Sequence, residues 1–172
     1  SSNEGVFVEY EIQDQLAPYF VDVGDLNGDG LLDMVVTDDG VDSYYLNTGN
    51  GSDGYANFSY RTFDSITNGF GGDTYITDLN NDANPDVIIT DVDVDIAGCG
   101  RTTHIFRNRG DFPDVTFSIE DTGIPENQRN GVHDVGIIDL NGDGWKDLVF
   151  GKCDGTQIWM NQPPTGIVFS YP

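Results

Sequence analysis

The chain has 172 residues, a formal net charge of −23 and only seven Lys and Arg. That balance excludes a nucleic-acid partner, because phosphates need a basic footprint, and it disfavours anionic membranes for the same reason. Apolar residues make up 37%, with ten Phe, eight Tyr and two Trp; this is enough for a packed core, and no apolar run is long enough for membrane insertion.

The opening segment Val6-Phe-Val-Glu-Tyr-Glu-Ile12 alternates apolar and polar residues and predicts a strand. A second strand is predicted over Phe20–Leu26. It leads into the loop Asp25-Leu-Asn27-Gly-Asp29-Gly-Leu31-Leu-Asp33, and the apolar run Met34-Val-Val36 follows. Next come a strand closing on Tyr44-Tyr-Leu-Asn47 and an alternating strand Phe58–Phe63. The same order then repeats. Thr74–Leu79 leads into Asp78-Leu-Asn80-Asn-Asp82-Ala-Asn84-Pro-Asp86, then Val87-Ile-Ile89, Ile105-Phe-Arg-Asn108 and Val115–Ile119. A third round runs from Val135–Leu140 through Asp139-Leu-Asn141-Gly-Asp143-Gly-Trp145-Lys-Asp147 to Leu148-Val-Phe150, Ile158-Trp-Met-Asn161 and Ile167–Tyr171. Asp25, Asp78 and Asp139 lie 53 and 61 residues apart, and the extra length of the second round falls in 91–100. Four short strands per unit of this length predict an all-β fold of β-propeller blades. The second strand of each unit is apolar throughout, as expected where blades pack on both faces.

Each loop places an oxygen side chain at positions 1, 3, 5 and 9. Hard oxygens in a curling loop suit Ca²⁺, which takes six to eight of them. The expected ligands are the side chains of Asp25, Asn27, Asp29 and Asp33; of Asp78, Asn80, Asp82 and Asp86; and of Asp139, Asn141, Asp143 and Asp147. Carbonyls at position 7 (Leu31, Asn84, Trp145) add a fifth oxygen. About three ions would offset six of the nine loop Asp charges. An EF-hand is rejected, because its position 12 requires a bidentate Glu and here holds Val36, Ile89 and Phe150. Gly30 and Gly144 occupy position 6, whereas the second loop has Ala83, where a positive φ costs more.

These loops between strands resemble the FG-GAP/VCBS repeat family, the calcium-loop blades also found in integrin α-subunit propellers. The resemblance covers about three four-stranded antiparallel blades, with 1–12 as the last strand of a preceding blade and blades at 19–64, 73–123 and 133–172. It implies membership of a larger seven- or eight-bladed propeller, an extracellular or cell-surface setting, and a part in adhesion, scaffolding or recognition. The same calcium ligands carry over by position. Three blades do not close a ring, so the sequence reads as a piece of a longer array or as a unit that closes by association. The start at Ser1 without Met reads as a mature or excised product.

The expected function is a non-catalytic calcium-binding module with a glycan or protein ligand. Two alternatives stand beside it: a self-assembling subunit of a surface filament, associating through open blade edges, and an accessory propeller of a polysaccharide-degrading enzyme. His104 and His133 fall in different units, and no nucleophile or phosphate-loop motif is present. Tyr44, Tyr45, Tyr55, Tyr60 and Trp159 could stack on sugar but read first as core or blade-interface residues. Cys99 and Cys153 follow equivalent strands, so a disulfide and two separate thiols both stay open. Asn50-Gly-Ser52 and Asn57-Phe-Ser59 match the glycosylation sequon.

Overall fold

The computed structural model describes residues 5, 7–10, 12, 18–63, 71–91, 102–119, 122–162 and 169–170. Among these the chain forms three four-stranded antiparallel sheets. Blade 1 holds β1 (Phe20–Gly24), β2 (Asp33–Thr37), β3 (Ser43–Asn50) and β4 (Ala56–Thr62). Blade 2 holds β5 (Gly71–Thr77), β6 (Asp86–Asp91), β7 (Thr103–Asn108) and β8 (Phe117–Ile119). Blade 3 holds β9 (Val132–Ile138), β10 (Asp147–Lys152), β11 (Gly155–Asn161) and β12 (Phe169–Ser170). Within each blade the strands lie in chain order, so every connection is a hairpin.

Strand limits differ from the sequence pattern at loop edges. The first strand of each blade stops short of its Asp-rich loop, because that loop's backbone turns to meet its own side chains. Val115 and Thr116 precede β8 rather than belonging to it. Residues 7–10, read from the sequence as the last strand of a further blade, carry no strand pairing. Their alternation is present, but among the described residues no sheet edge takes it up. Tyr10 instead stacks on Tyr55, ring centroids 4.7 Å apart.

Packing lies between blades. Val35, Tyr44, Leu46 and Phe63 of blade 1 meet Val87, Ile89 and Phe106 of blade 2 in one core. Ile88 and Ile105 of blade 2 meet Val135, Leu148, Phe150 and Trp159 of blade 3 in a second. β6 thus sends Val87 and Ile89 one way and Ile88 the other, and all six of its residues are buried. This explains why its sequence is apolar without alternation. Each such side chain contributes about 1.5–3 kcal/mol on full burial. Near the inner strands the sheets come close: a Cβ placed on Gly24 would stand 2.8 Å from Ile76 Cγ2, so only glycine lets these strands approach so tightly. Ile76 N–H donates to Asp22 Oδ2 at 2.7 Å, and the Tyr75 hydroxyl donates to Asp134, tying blades 1 to 2 and 2 to 3. Burial first, and then that bond, raises the Tyr75 pKa above its ordinary value.

Candidate metal centre

The three Asp-rich loops join the first and second strands of their blades and share one internal geometry. The position 1 carboxylate faces inward and gathers the turn. Asp25 Oδ1 accepts from Gly28 and Asp29 N–H, and its Oδ2 accepts from Gly30 N–H at 2.8 Å. Asp139 does the same with Gly142, Asp143 and Gly144. Those donors, Gly144 first, hold the Asp139 carboxyl below the usual carboxylate range. Asp78 accepts from Asp82 and Ala83.

At position 3 the Asn side chain turns to position 5. Asn27 Nδ2 donates to Asp29 Oδ2 at 3.0 Å, Asn80 to Asp82 at 2.9 Å and Asn141 to Asp143 at 2.8 Å. The other Asp oxygen accepts the position 7 N–H, as Asp29 Oδ1 does from Leu31 at 2.8 Å. The turn needs positive φ at two places. Position 6 is one, with Gly30 at 85°, Gly144 at 87° and Ala83 at 68°. Ala83 therefore holds the left-handed conformation that disfavours a side chain. Position 4, which the sequence reading passed over, is the other: Gly28, Asn81 and Gly142 lie at 73°, 57° and 78°. Asn tolerates that region better than most residues.

Position 9 has a structural job that its sequence does not announce. Asp33, Asp86 and Asp147 are fully buried. In each, Oδ2 accepts the N–H of the position 2 leucine (Leu26, Leu79, Leu140) and Oδ1 accepts the N–H of the asparagine near the end of the third strand (Asn47, Asn108, Asn161). The carboxylate thereby braces loop to sheet. Burial pushes the Asp86 carboxyl up to about 7 despite those two N–H bonds, and Asp82 and Asp78 add repulsion. Asp33 is raised for the same first reason.

The third-strand asparagines complete the arrangement. Asn108 Nδ2 donates to Pro85 O in its own blade and to Leu26 O in the blade before, at 3.1 and 2.8 Å. Asn161 repeats this with Lys146 O and Leu79 O, at 3.2 and 2.7 Å. These residues were visible in the sequence as a recurring strand end, but their partners lie far along the chain. Asn81 Nδ2 also donates to Gly144 O, linking the second loop to the third.

The donor set of each loop is all oxygen and suits a hard cation. Among the described residues, no group of three or more Asp, Glu, His or Cys side chains is assembled to hold a metal ion. All three carboxylates of each loop accept backbone N–H groups, and the position 5 carboxylate also faces an asparagine amide. Beside the first loop lies a cleft of about 260 Å³ with a mixed lining, Asn27, Asp29, Asn47, Arg61 and Asp114 beside Leu46 and Pro113.

Sequence patterns of the FG-GAP-like repeat match residues 25–89 and 78–150. The chain belongs to the FG-GAP-like repeat family. A comparison with curated proteins finds no match. Among solved structures, the chain is similar to a lectin of Agrocybe aegerita, described as recognising non-reducing terminal N-acetylglucosamine. Identity is 22%, the TM-score is 0.48, and the match covers 86% of this chain. The chain spans 36% of that structure's length. With its FG-GAP-like repeats, the all-β array is a β-propeller-like module.

The remaining candidates sit apart from the loops. Tyr44, Tyr45 and Trp159 are buried, while Tyr55 and Tyr60 are exposed. His104 is buried against Asp91, Nε2 to Oδ2 at 3.0 Å, and His133 lies in β9 with Nε2 2.9 Å from Cys153 Sγ. Cys153 is disulfide-bonded; Cys99, the sequence's other cysteine, lies outside the described residues. Asn50 and Asn57 are both exposed. No helix of the described residues is long and apolar enough to cross a membrane.

Proposed function

We propose that this FG-GAP-like chain is a non-catalytic, extracellular recognition module whose loops are stapled by about three Ca²⁺ ions. The observation that carries the reading is the pairing of positions 3 and 5, repeated in all three loops. The Asn Nδ2 stands about 3 Å from an Asp Oδ2. Turning the amide over gives up the bond its Oδ1 accepts from the position 5 N–H and sets two hard oxygens side by side, an exchange that a bound cation would offset. Both then lie within reach of a cation that takes ligands at about 2.3–2.6 Å. The residues that would hold it are those at positions 1, 3 and 5 with the position 7 carbonyl. Position 9 would serve while keeping its strand brace. Bound Ca²⁺ would neutralise the facing carboxylates and fix the turn.

Recognition of a glycan or protein is assigned to the cleft beside the first loop, where amide, carboxylate and guanidinium groups face one opening. A rigid loop holds one wall of that cleft, so calcium would act on the ligand through positioning. The non-catalytic reading is supported by the histidines, which lie in different blades, one of them buried against Asp91.

Calorimetric titration of chelator-treated protein with Ca²⁺ tests the metal. The expected stoichiometry is about three, with one ion lost in Asp29→Ala. Unchanged stoichiometry in that variant would refute the assignment of the first loop, and no binding by the parent chain would refute all three.

A further inference from the structure

The three loops share one geometry but not one electrostatic setting. In the second loop a cation of the chain itself reaches the position 5 carboxylate: Arg107 Nη2 stands 3.4 Å from Asp82 Oδ2. That oxygen is the one the Asn80 amide faces at 2.9 Å, and it is where the proposed ion would find a ligand. The two side chains are only 25% and 30% exposed, so water screens the pair in part. Arg107 directly precedes Asn108 in β7. The residues in that place in the other two blades are Leu46 and Met160, and neither carries a charge. The alignment holds in space, because Leu46 lines the cleft with Asn27 and Asp29 as Arg107 lies against Asp82. Among the described residues, no Lys or Arg pairs with a carboxylate of the first or third loop. Arg61 shares the cleft with Asp29, but its ion pair is with Asp114 at 3.5 Å.

We infer that Arg107 is the resident cation of the second loop and competes there with Ca²⁺, so that the three sites divide into two tight ones and one weaker one. The inference rests on the calcium reading above and assigns a regulator to one of its sites. Arg107 offsets one of the negative charges that the Asp residues of the second loop bring, and calcium affinity follows the charge of the ligands. Repulsion between a unit charge and a divalent ion about 5 Å apart, screened as in water, weakens binding on the order of tenfold, and partial burial adds to it. As Ca²⁺ falls, the second loop empties first, and the guanidinium then holds Asp82 in place of the ion. The emptied loop stays tied to its neighbour, since Asn81 Nδ2 donates to Gly144 O of the third loop at 3.2 Å. Blade 2 thus keeps its joint with blade 3 at Ca²⁺ concentrations that leave its own loop unfilled.

Calorimetric titration of the chelator-treated chain with Ca²⁺ alone, with melting curves run in chelator, tests this. The expected parent isotherm has two tight ions and one bound at least about tenfold more weakly, and Asp82→Ala removes the weak one. Arg107→Gln should tighten that ion on the order of tenfold and leave the other two unchanged. Arg107→Lys keeps the charge and should leave the ion weak. In chelator, Arg107→Gln should melt below the parent and Arg107→Lys close to it. Three equal ions in the parent, loss of a tight ion in Asp82→Ala, or a weak ion unmoved by Arg107→Gln would each overturn the inference and leave the calcium reading standing. Tightening by Arg107→Lys as much as by Arg107→Gln would overturn it too, since packing and not charge would then set the affinity. No bound ion in the parent would refute the calcium reading itself, and this inference with it.

Discussion

Replacing Asn108 by alanine separates the bond between blades from the bond within one. Asn108 is buried and its Nδ2 serves two carbonyls, Leu26 O at 2.8 Å and Pro85 O at 3.1 Å, while its Oδ1 accepts from Gly110 N–H. Each lost bond costs about 1 kcal/mol, and a buried carbonyl left without a donor adds about 1–3 kcal/mol. The expected loss is therefore about 4–6 kcal/mol. Asn47→Ala is the internal control. It loses the bond to Leu32 O and the acceptor for Gly49 N–H, but the site is half open to water, so its cost is about 1 kcal/mol. Urea unfolding of dilute protein reads the difference. With a slope of about 2 kcal/mol/M, Asn108→Ala moves the midpoint down by about 2–3 M and Asn47→Ala by about 0.5 M. Equal shifts at unchanged slope would show that the bond across the joint adds nothing.

Ala83→Gly should stabilise the chain by up to about 1 kcal/mol, because φ of 68° strains alanine more than glycine; a raised melting point in calorimetry is expected, and a lowered one would refute the strain. Stability of calcium-free protein should fall as pH rises from about 4 to about 7. The raised Asp86 carboxyl keeps its proton in the folded chain after the unfolded chain has lost it, so the folded state binds more protons across that window. Unfolding midpoints at a series of pH values, in chelator, check the sign, and Asp86→Asn should flatten the slope.

The blades were legible because their signals are local. Alternation, apolar runs and Asp-rich turns each lie within a few residues, and their repetition named the architecture. β6 is the clearest case, since only a strand packed on both sides carries six buried residues in a row. The loop set was legible as chemistry but not as a division of labour. Position 9 looks like positions 1 and 5 in the sequence, and only its burial shows that it braces the sheet. The asparagine near each third strand's end was visible too, yet the Asn108–Leu26 bond spans 82 residues and no local pattern encodes it. Residues 7–10 mark the converse limit: alternation reports a strand's suitability, while pairing needs a neighbour, and the described residues supply none.

The asparagine link across each joint has an evolutionary consequence. Its acceptor is a main-chain carbonyl, which every amino acid at position 2 supplies, and its donor is a single side chain at a fixed strand end. Two blades with dissimilar sequences can therefore be coupled without coevolving a matched pair of side chains at this link. An in-frame duplication of one unit would copy both halves together, so arrays built this way can lengthen or shorten by whole units while each new boundary inherits a working latch.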